Sequence, residues 1–305
     1  MIIAGFTQPQ LTWDLGRDVG QLFDYPFMVN ALRAGSIVAV VAALIGWFMV
    51  VRRQTFAGHT LAVVGFPGAA GATLIGVSAT YGAFLFCVVA ALVIGALPRA
   101  PRVGYSEESA VIGVVQAFAL GCGFLFVSLY AGNLNGVEAL LFGSFLGITS
   151  SQVLALLGAA VVAVVALALV ARPLLFASID PDVAAARGVP VRLLSAGFLV
   201  LLGVAAAEVS QVTGTLLVFA LLVLPAATAQ AITLRPAASV VWSVGLALTV
   251  TWMGMGIAYY SPYPIGFWIT SLAFGLFVVA RLGRGLVDRA AVPRHRGHQV
   301  VGSPR

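Results

Sequence analysis

The chain has 305 residues, of which 61% are hydrophobic and only 9% charged, with a mean hydropathy of +1.07 and a formal charge of +6. A soluble domain carries about 25% charged residues, so the composition excludes a water-soluble enzyme and marks a polytopic membrane protein. All 16 basic residues are arginine. Without a lysine to meet the β and γ phosphates there is no Walker A site, and without its amine there is no Schiff-base chemistry.

The first residues, MIIAGFTQPQLTWD, place no basic n-region ahead of an apolar stretch. No cleavable signal peptide is expected, and the first span serves as the insertion signal. Residues 1–26, with Asp14, Asp18 and Asp24, read as an outside segment with a short interfacial helix. Apolar stretches of about 17–25 residues are long enough to cross a bilayer. They fall near residues 29–51, 60–78, 81–97, 110–130, 151–171, 193–210, 214–233, 238–260 and 264–282. The pair 193–210 and 214–233 is the least distinct, divided only by Gln211, Val212 and Thr213, and eight spans is the alternative count. The stretch 136–148 (GVEALLFGSFLGI) is too short to cross and reads as re-entrant or interfacial. The expected fold is therefore an all-α polytopic membrane protein with about nine transmembrane helices. Residues 27–283 form one transmembrane domain, and residues 284–305 form a basic cytoplasmic tail without fixed structure.

The arginines orient the set. Arg52 and Arg53 end the first span, Arg99 and Arg102 follow the third, and Arg172, Arg187 and Arg192 bracket a polar interruption after the fifth. Arg235 divides the seventh and eighth spans, and Arg281, Arg284, Arg289, Arg294, Arg296 and Arg305 close the chain. With nine spans all of these fall on one side, leaving Arg17 and Arg33 on the other. The positive-inside rule then puts the N-terminus outside and the C-terminus in the cytoplasm. The charge of +6 reflects topology and contact with anionic membrane lipids, not nucleic-acid binding.

The polar interruption itself, Ser178 to Pro190 (SIDPDVAAARGVP), carries the signals of a short capped helix in water. Asp180 suits the N-cap, Pro181 the first helical position, and Asp182 places negative charge against the positive end of the helix dipole. Arg187 falls in the last turn, Gly188 can take the left-handed position after the C-cap, and Pro190 ends the helix. Such a segment is either a plain connector or a coupling helix offered to a cytoplasmic motor subunit.

Ionisable groups inside spans are expensive and mark function. His59 lies at the entrance of the second span, Glu208 near the outer end of the sixth, and Glu138 in the re-entrant stretch. His59 also has an interfacial reading, bonded to a carbonyl, and Glu208 a hydrated reading close to the outer surface. Pro67 and Pro225 each remove a donor inside a span, free the carbonyls of Val63 and Leu221, and are expected to kink their helices. Cys87 and Cys122 fall in apolar runs with no CxxC and read as buried hydrophobes. Glu107 and Glu108 suit the start of the fourth span behind Ser106, and His295 and His298 are too sparse for a metal site. No hydrolytic triad or nucleotide loop is present, so the chain reads as a conduit.

Several ordered motifs resemble one family. An arginine pair ends the first span, followed by FAGHTLAVVGFPGA at 56–69, LFGSFLGIT at 141–149, DPDVAAARGVP at 180–190 and VTGTLLVFALLVLPAATA at 212–229. These are similar to the membrane subunits of ABC importers for divalent metals (zinc, manganese and iron), over residues 27–283. The resemblance implies a multi-pass permease in the cell membrane that moves zinc or manganese inward and holds no permanent cofactor. It implies separate ABC ATPase subunits docked on the 180–188 segment, an extracytoplasmic metal-binding protein, and a second permease subunit, identical or related. The ionisable groups within the apolar stretches, rather than the resemblance, place the expected ion path at His59, Glu208 and Glu138, with His59 and Glu208 as the metal-handling pair. In the family the second span carries an aspartate and, four residues later, a histidine; here His59 and Val63 stand at those positions. Import of another small substrate, such as a metal chelate, and a non-transporting membrane scaffold are the alternative functions.

Overall fold

The computed structural model describes residues 14–96, 105–130, 141, 143 and 147–291. The N-terminal 13 residues, Arg99, Arg102, Glu138 and the tail beyond residue 291 lie outside these, as does most of the 136–148 stretch. Among the described residues the chain is entirely helical, with eleven helices and no strand.

A short helix α1 (Leu15–Asp24) leads into α2 (Pro26–Val51), followed by α3 (Thr55–Leu74), α4 (Ala79–Ala96) and α5 (Tyr105–Leu129). Then come α6 (Ser150–Ile179), α7 (Pro181–Ala186), α8 (Val191–Thr213), α9 (Thr215–Ile232), α10 (Pro236–Tyr260) and α11 (Ile265–Ala291). Seven of these (α2, α4, α5, α6, α8, α10 and α11) contain runs long and apolar enough to cross a membrane. Helix α3 is diluted by His59, Pro67 and its glycines, and the apolar run of α9 is shorter, Leu217–Ile232.

Helix α2 is the core of the bundle and packs on α6, α8, α9 and α10. Its surface explains this. Ala31, Ala34, Val38, Ala39, Ala42, Ala43 and Ile45 are all fully buried. Small residues let backbones approach where lipid removes any hydrophobic drive between helices. A Cβ at Gly46 would run into the carbonyl of Leu222 on α9, and one at Gly35 would lie 3.1 Å from Cγ2 of Thr251 on α10. Helices α3 and α4 meet the same way, each of Gly68 and Gly82 lying against the other's carbonyl.

Four boundaries differ from the sequence expectation, one of them at the tail: residues 284–291, expected to lack fixed structure, continue helix α11 to Ala291. Gln211, Val212 and Thr213 are helical, and the break between α8 and α9 is Gly214 alone, at φ 73° and ψ 160°. That region is open only to glycine. Helix α6 does not stop near residue 171 but runs through Arg172 and Pro173 to Ile179, 30 residues in all. At 1.5 Å per residue it spans roughly 45 Å, against about 30 Å of hydrocarbon, so Ser178 and Ile179 belong to a helix that projects beyond the bilayer. Its start is fixed by a capping box, with Thr149 accepting from the Gln152 N–H and Gln152 accepting from the Thr149 N–H. Finally, α7 ends at Ala186, which makes Arg187 its C-cap instead of a last-turn residue.

The break at Gly214 is also crowded: a Cβ on Gly143 would lie 2.5 Å from the carbonyl oxygen of Val212. Gly214→Ala should therefore destabilise the detergent-solubilised protein by about 1–3 kcal/mol, read as a lowered thermal midpoint. Gly158→Ala, at a helical site with nothing within 4 Å of the added carbon, is the matched control. Equal midpoints for the two variants would contradict the strained break.

Candidate functional site

Two regions carry chemistry: a polar interior at the meeting of α3, α4, α8 and α9, and an exposed helix at the end of α6.

The interior centres on α3. The missing side chain of Gly65 faces Cys87 Sγ at 3.5 Å, Ser210 Oγ at 3.7 Å and the Thr215 methyl at 3.8 Å, so residues of three other helices converge there. Cys87 is buried and reduced, and its thiol donates to the Leu61 carbonyl at 3.2 Å. Thr60, fully buried, donates to Gln116 Oε1 at 2.8 Å and ties α3 to α5. Beside it the half-buried His59 ring stands edge-on to Phe219 of α9, centroids 5.0 Å apart at 74°. His59 Nδ1 is buried with no hydrogen-bond partner, so a carbonyl-satisfied Nδ1 is not what the structure has. Pro67 and Pro225 sit inside α3 and α9, which continue through them as single helices.

Glu208 lies in the most enclosed stretch of α8, with Ala205, Ala206, Ala207 and Val209 all at 0% exposure around it. Its own exposure is 0%, and neither carboxylate oxygen has a hydrogen-bond partner among the described residues. The hydrated reading of Glu208 is thereby excluded for this chain on its own. One turn on, Gln211 accepts from Thr80 at 2.8 Å and donates to the Ala207 carbonyl. No hydrogen bond or ion pair joins His59 to Glu208. No group of three histidine, cysteine or acidic side chains gathers among the described residues. The two orphaned groups can offer an imidazole and a carboxylate to a passing cation, but not a closed coordination shell.

The second region matches its sequence signals closely. Asp180 Oδ1 accepts from the Val183 N–H at 2.9 Å, Pro181 opens α7, and Asp182 lies in its first turn. Gly188 takes φ 82°, with its N–H on the Ala185 carbonyl and that of Val189 on the Ala184 carbonyl. This is the double bond of a Schellman motif. Only Ala184 of α7 is buried, so the rest of the helix is free to meet another molecule.

What sequence reasoning missed is Arg52. Read there only as a topological marker, it is the C-cap of α2. Its guanidinium donates to Ser178 Oγ at 3.0 Å and Ser195 Oγ at 2.8 Å, and lies 5.4 Å from the Phe198 ring centroid. Ser178 is two residues before the N-cap of α7 and Ser195 five after Pro190, so one side chain on α2 grips both flanks of the exposed helix. Its neighbour Arg53 occupies the left-handed position at φ 57° that ends α2. Only the arginine pair itself signalled this; partners 126 and 143 residues away leave no local pattern.

Comparison with known proteins agrees with this geometry. Residues 24–284 match the model of the ABC 3 transport family. The chain is 30% identical over 215 residues to the manganese transport system membrane protein MntC of Halalkalibacterium halodurans, covering 70% of this chain and 73% of that one. It is 29% identical over 260 residues to the chelated iron transport system membrane protein YfeC of Yersinia pestis, covering 85% and 87%. The fold is that of a chain in the structure of PsaBC from Streptococcus pneumoniae in complex with Fab, at a TM-score of 0.77 and 24% identity, over 87% and 94% of the two chains. With apolar helices built to span, no nucleotide-binding lysine and these likenesses, the chain belongs to the ABC 3 transport family and is a membrane permease subunit of an ABC transporter, with ATP hydrolysis carried by a separate chain.

Proposed function

We propose that this chain lines the path of an ATP-driven importer for a bare divalent metal ion, manganese in first place and zinc in second. The observation that carries the reading is Glu208, a fully buried carboxylate without a partner, in the same interior as the unpartnered His59 nitrogen. A buried carboxylate of this kind needs a cation or a proton. Oxygen donors suit manganese, and an imidazole suits zinc. The names of relatives such as MntC support manganese. Pro67 and Pro225 would contribute the carbonyls they free. A conduit needs such weak, incomplete sites, since an ion held by a full shell would not leave. A metal chelate is the second reading, favoured by the YfeC likeness and by Val63 standing where the family resemblance places a histidine.

In this proposal α3 and α9 cross with the seven helices long and apolar enough to span, giving nine spans. The N-terminus is outside, and Arg52, Arg172, Arg187, Arg192, Arg235 and Arg284 are on the cytoplasmic side of the cell membrane. Residues 27–283 are the transmembrane domain, flanked by the outer segment 1–26 and a basic tail from 284. The exposed helix α7 docks the ABC ATPase through Asp180, Pro181, Asp182, Arg187 and Gly188, and Arg52 braces it. A second permease subunit would cover the bare faces of α5 and α11, where Phe118 is 75% and Phe274 57% exposed. An extracytoplasmic metal-binding protein would deliver the ion to the outer mouth.

Two experiments test these assignments. Asp180→Ala removes the N-cap, for about 0.5–2 kcal/mol, and Gly188→Val strains the left-handed position by about 1 kcal/mol or more. The double variant should insert normally yet lose co-purifying ATPase; undiminished recovery would contradict docking on α7. For the path, Glu208→Gln and His59→Ala should each lower uptake of radiolabelled manganese into vesicles holding the complete complex, by about tenfold if each ion contact is worth about 1.4 kcal/mol. Assembly with the ATPase should be unchanged. Wild-type uptake in both variants would reassign the path to backbone and hydroxyl groups.

A further inference from the structure

We propose that the groove between α1, α2, α6 and α10 is a binding site for one anionic phospholipid, its phosphodiester held by Arg33. The groove encloses about 1220 Å³ and is lined almost wholly by apolar side chains, among them Leu157, Ile257 and the faces of Trp252 and Tyr260. Its polar side chains are largely satisfied within it: Trp252 Nε1 donates to Ser36 Oγ at 2.9 Å, and Ser36 donates to the Leu32 carbonyl at 2.7 Å. Arg33 is the exception. It is exposed, lines the groove, and has no carboxylate or other partner among the described residues. It sits seven residues into α2, about 10 Å along the axis at 1.5 Å per residue.

A guanidinium at that depth is costly unless it finds an anion or reaches the headgroup level. Arginine does the second by extending its stem along the helix, and its planar fork then matches a phosphate with two parallel hydrogen bonds. The apolar groove below accepts the acyl chains of the same molecule. The alternative occupants fit worse. A transported metal ion would be repelled by Arg33. A second copy seated here would bury an unpaired arginine against hydrocarbon side chains, while α5 and α11, whose faces are bare, line none of the groove. Charge and shape together select a lipid that is both anionic and two-tailed, in the leaflet on the α1 side.

The test is native mass spectrometry of the purified full-length chain equilibrated in detergent with equal phosphatidylglycerol and phosphatidylcholine. The wild type should retain phosphatidylglycerol with a roughly fivefold preference, the scale of one arginine near an anionic surface. Arg33→Gln should abolish the preference, whereas Arg172→Gln, at the other end of the bundle, should keep it. Gly256→Leu supplies an independent arm: a carbon added there meets nothing nearer than Leu22 Cδ1 at 3.9 Å, so the side chain fills the groove without disturbing the bundle. It should lower retention of both lipids at unchanged oligomeric mass. The proposal is overturned by equal retention of the two lipids in the wild type, by a preference that survives Arg33→Gln, by lipid retention that survives Gly256→Leu, or by a groove-filling variant that changes the oligomeric mass instead.

Discussion

Helices in lipid gain nothing from hiding apolar surface, because the acyl chains around them are as apolar as leucine; they associate only where backbones can come close. Helix α2 meets that requirement against four neighbours. Ala31, Ala34, Ala39, Ala42 and Ala43 have no exposure, Gly35 and Gly46 are buried, and at Gly46 the backbone of α9 is so near that no side chain could stand between them. Removing this condition at any one face would leave α2 beside its neighbours rather than among them. The remaining helices are arranged around it: α6 and α8 on one flank, α9 and α10 on another, with α3 and α4 joined to α8 and α9 by the same kind of glycine contact.

The position of α2 connects the two chemical regions. At its C-terminal end Arg52 reaches Ser178 and Ser195, the supports of α7. Six residues before that arginine, Gly46 touches α9, and Phe219 of α9 carries the edge-on contact to His59. If the ATPase docks on α7 as proposed, a displacement there would meet a series of contacts leading to the interior polar site: an arginine grip, the helix α2, a backbone contact and an aromatic contact. Contiguous packing of this kind is one way in which coupling travels between distant sites, and perturbing one link is how it is demonstrated.

Much of this was legible in the residues. The apolar stretches located each long helix, because hydropathy over a span length is a property of composition alone, though α6 and α11 run on well past their expected ends. The caps of α7 were legible because capping is local: Asp180, Pro181 and Gly188 act within four residues of themselves. Features that depend on neighbours were not. The turn residues Gln211 and Thr213 looked like a polar divider, yet each finds a hydrogen-bond partner inside the bundle, leaving the break to Gly214. Arg172 marked the expected end of a span, but α6 continues through it and through Pro173 to Ile179. The full burial of Glu208 was hidden because hydropathy does not say which helices cover a given face, and the partners of Arg52 because they lie far along the chain.

On the function proposed above, with the ATPase docked on α7 and the ion path through the polar interior, Arg52 links the two through α2. This link is tested most directly by measuring manganese imported per ATP hydrolysed, in vesicles containing the complete transporter with wild-type or Arg52→Gln permease. Each charge-assisted hydrogen bond lost is worth about 1.5–3 kcal/mol, so the account predicts a fall in that ratio of about tenfold or more, with the ATPase still bound and still hydrolysing. An Arg52→Gln complex that imports manganese at the wild-type ratio would contradict it.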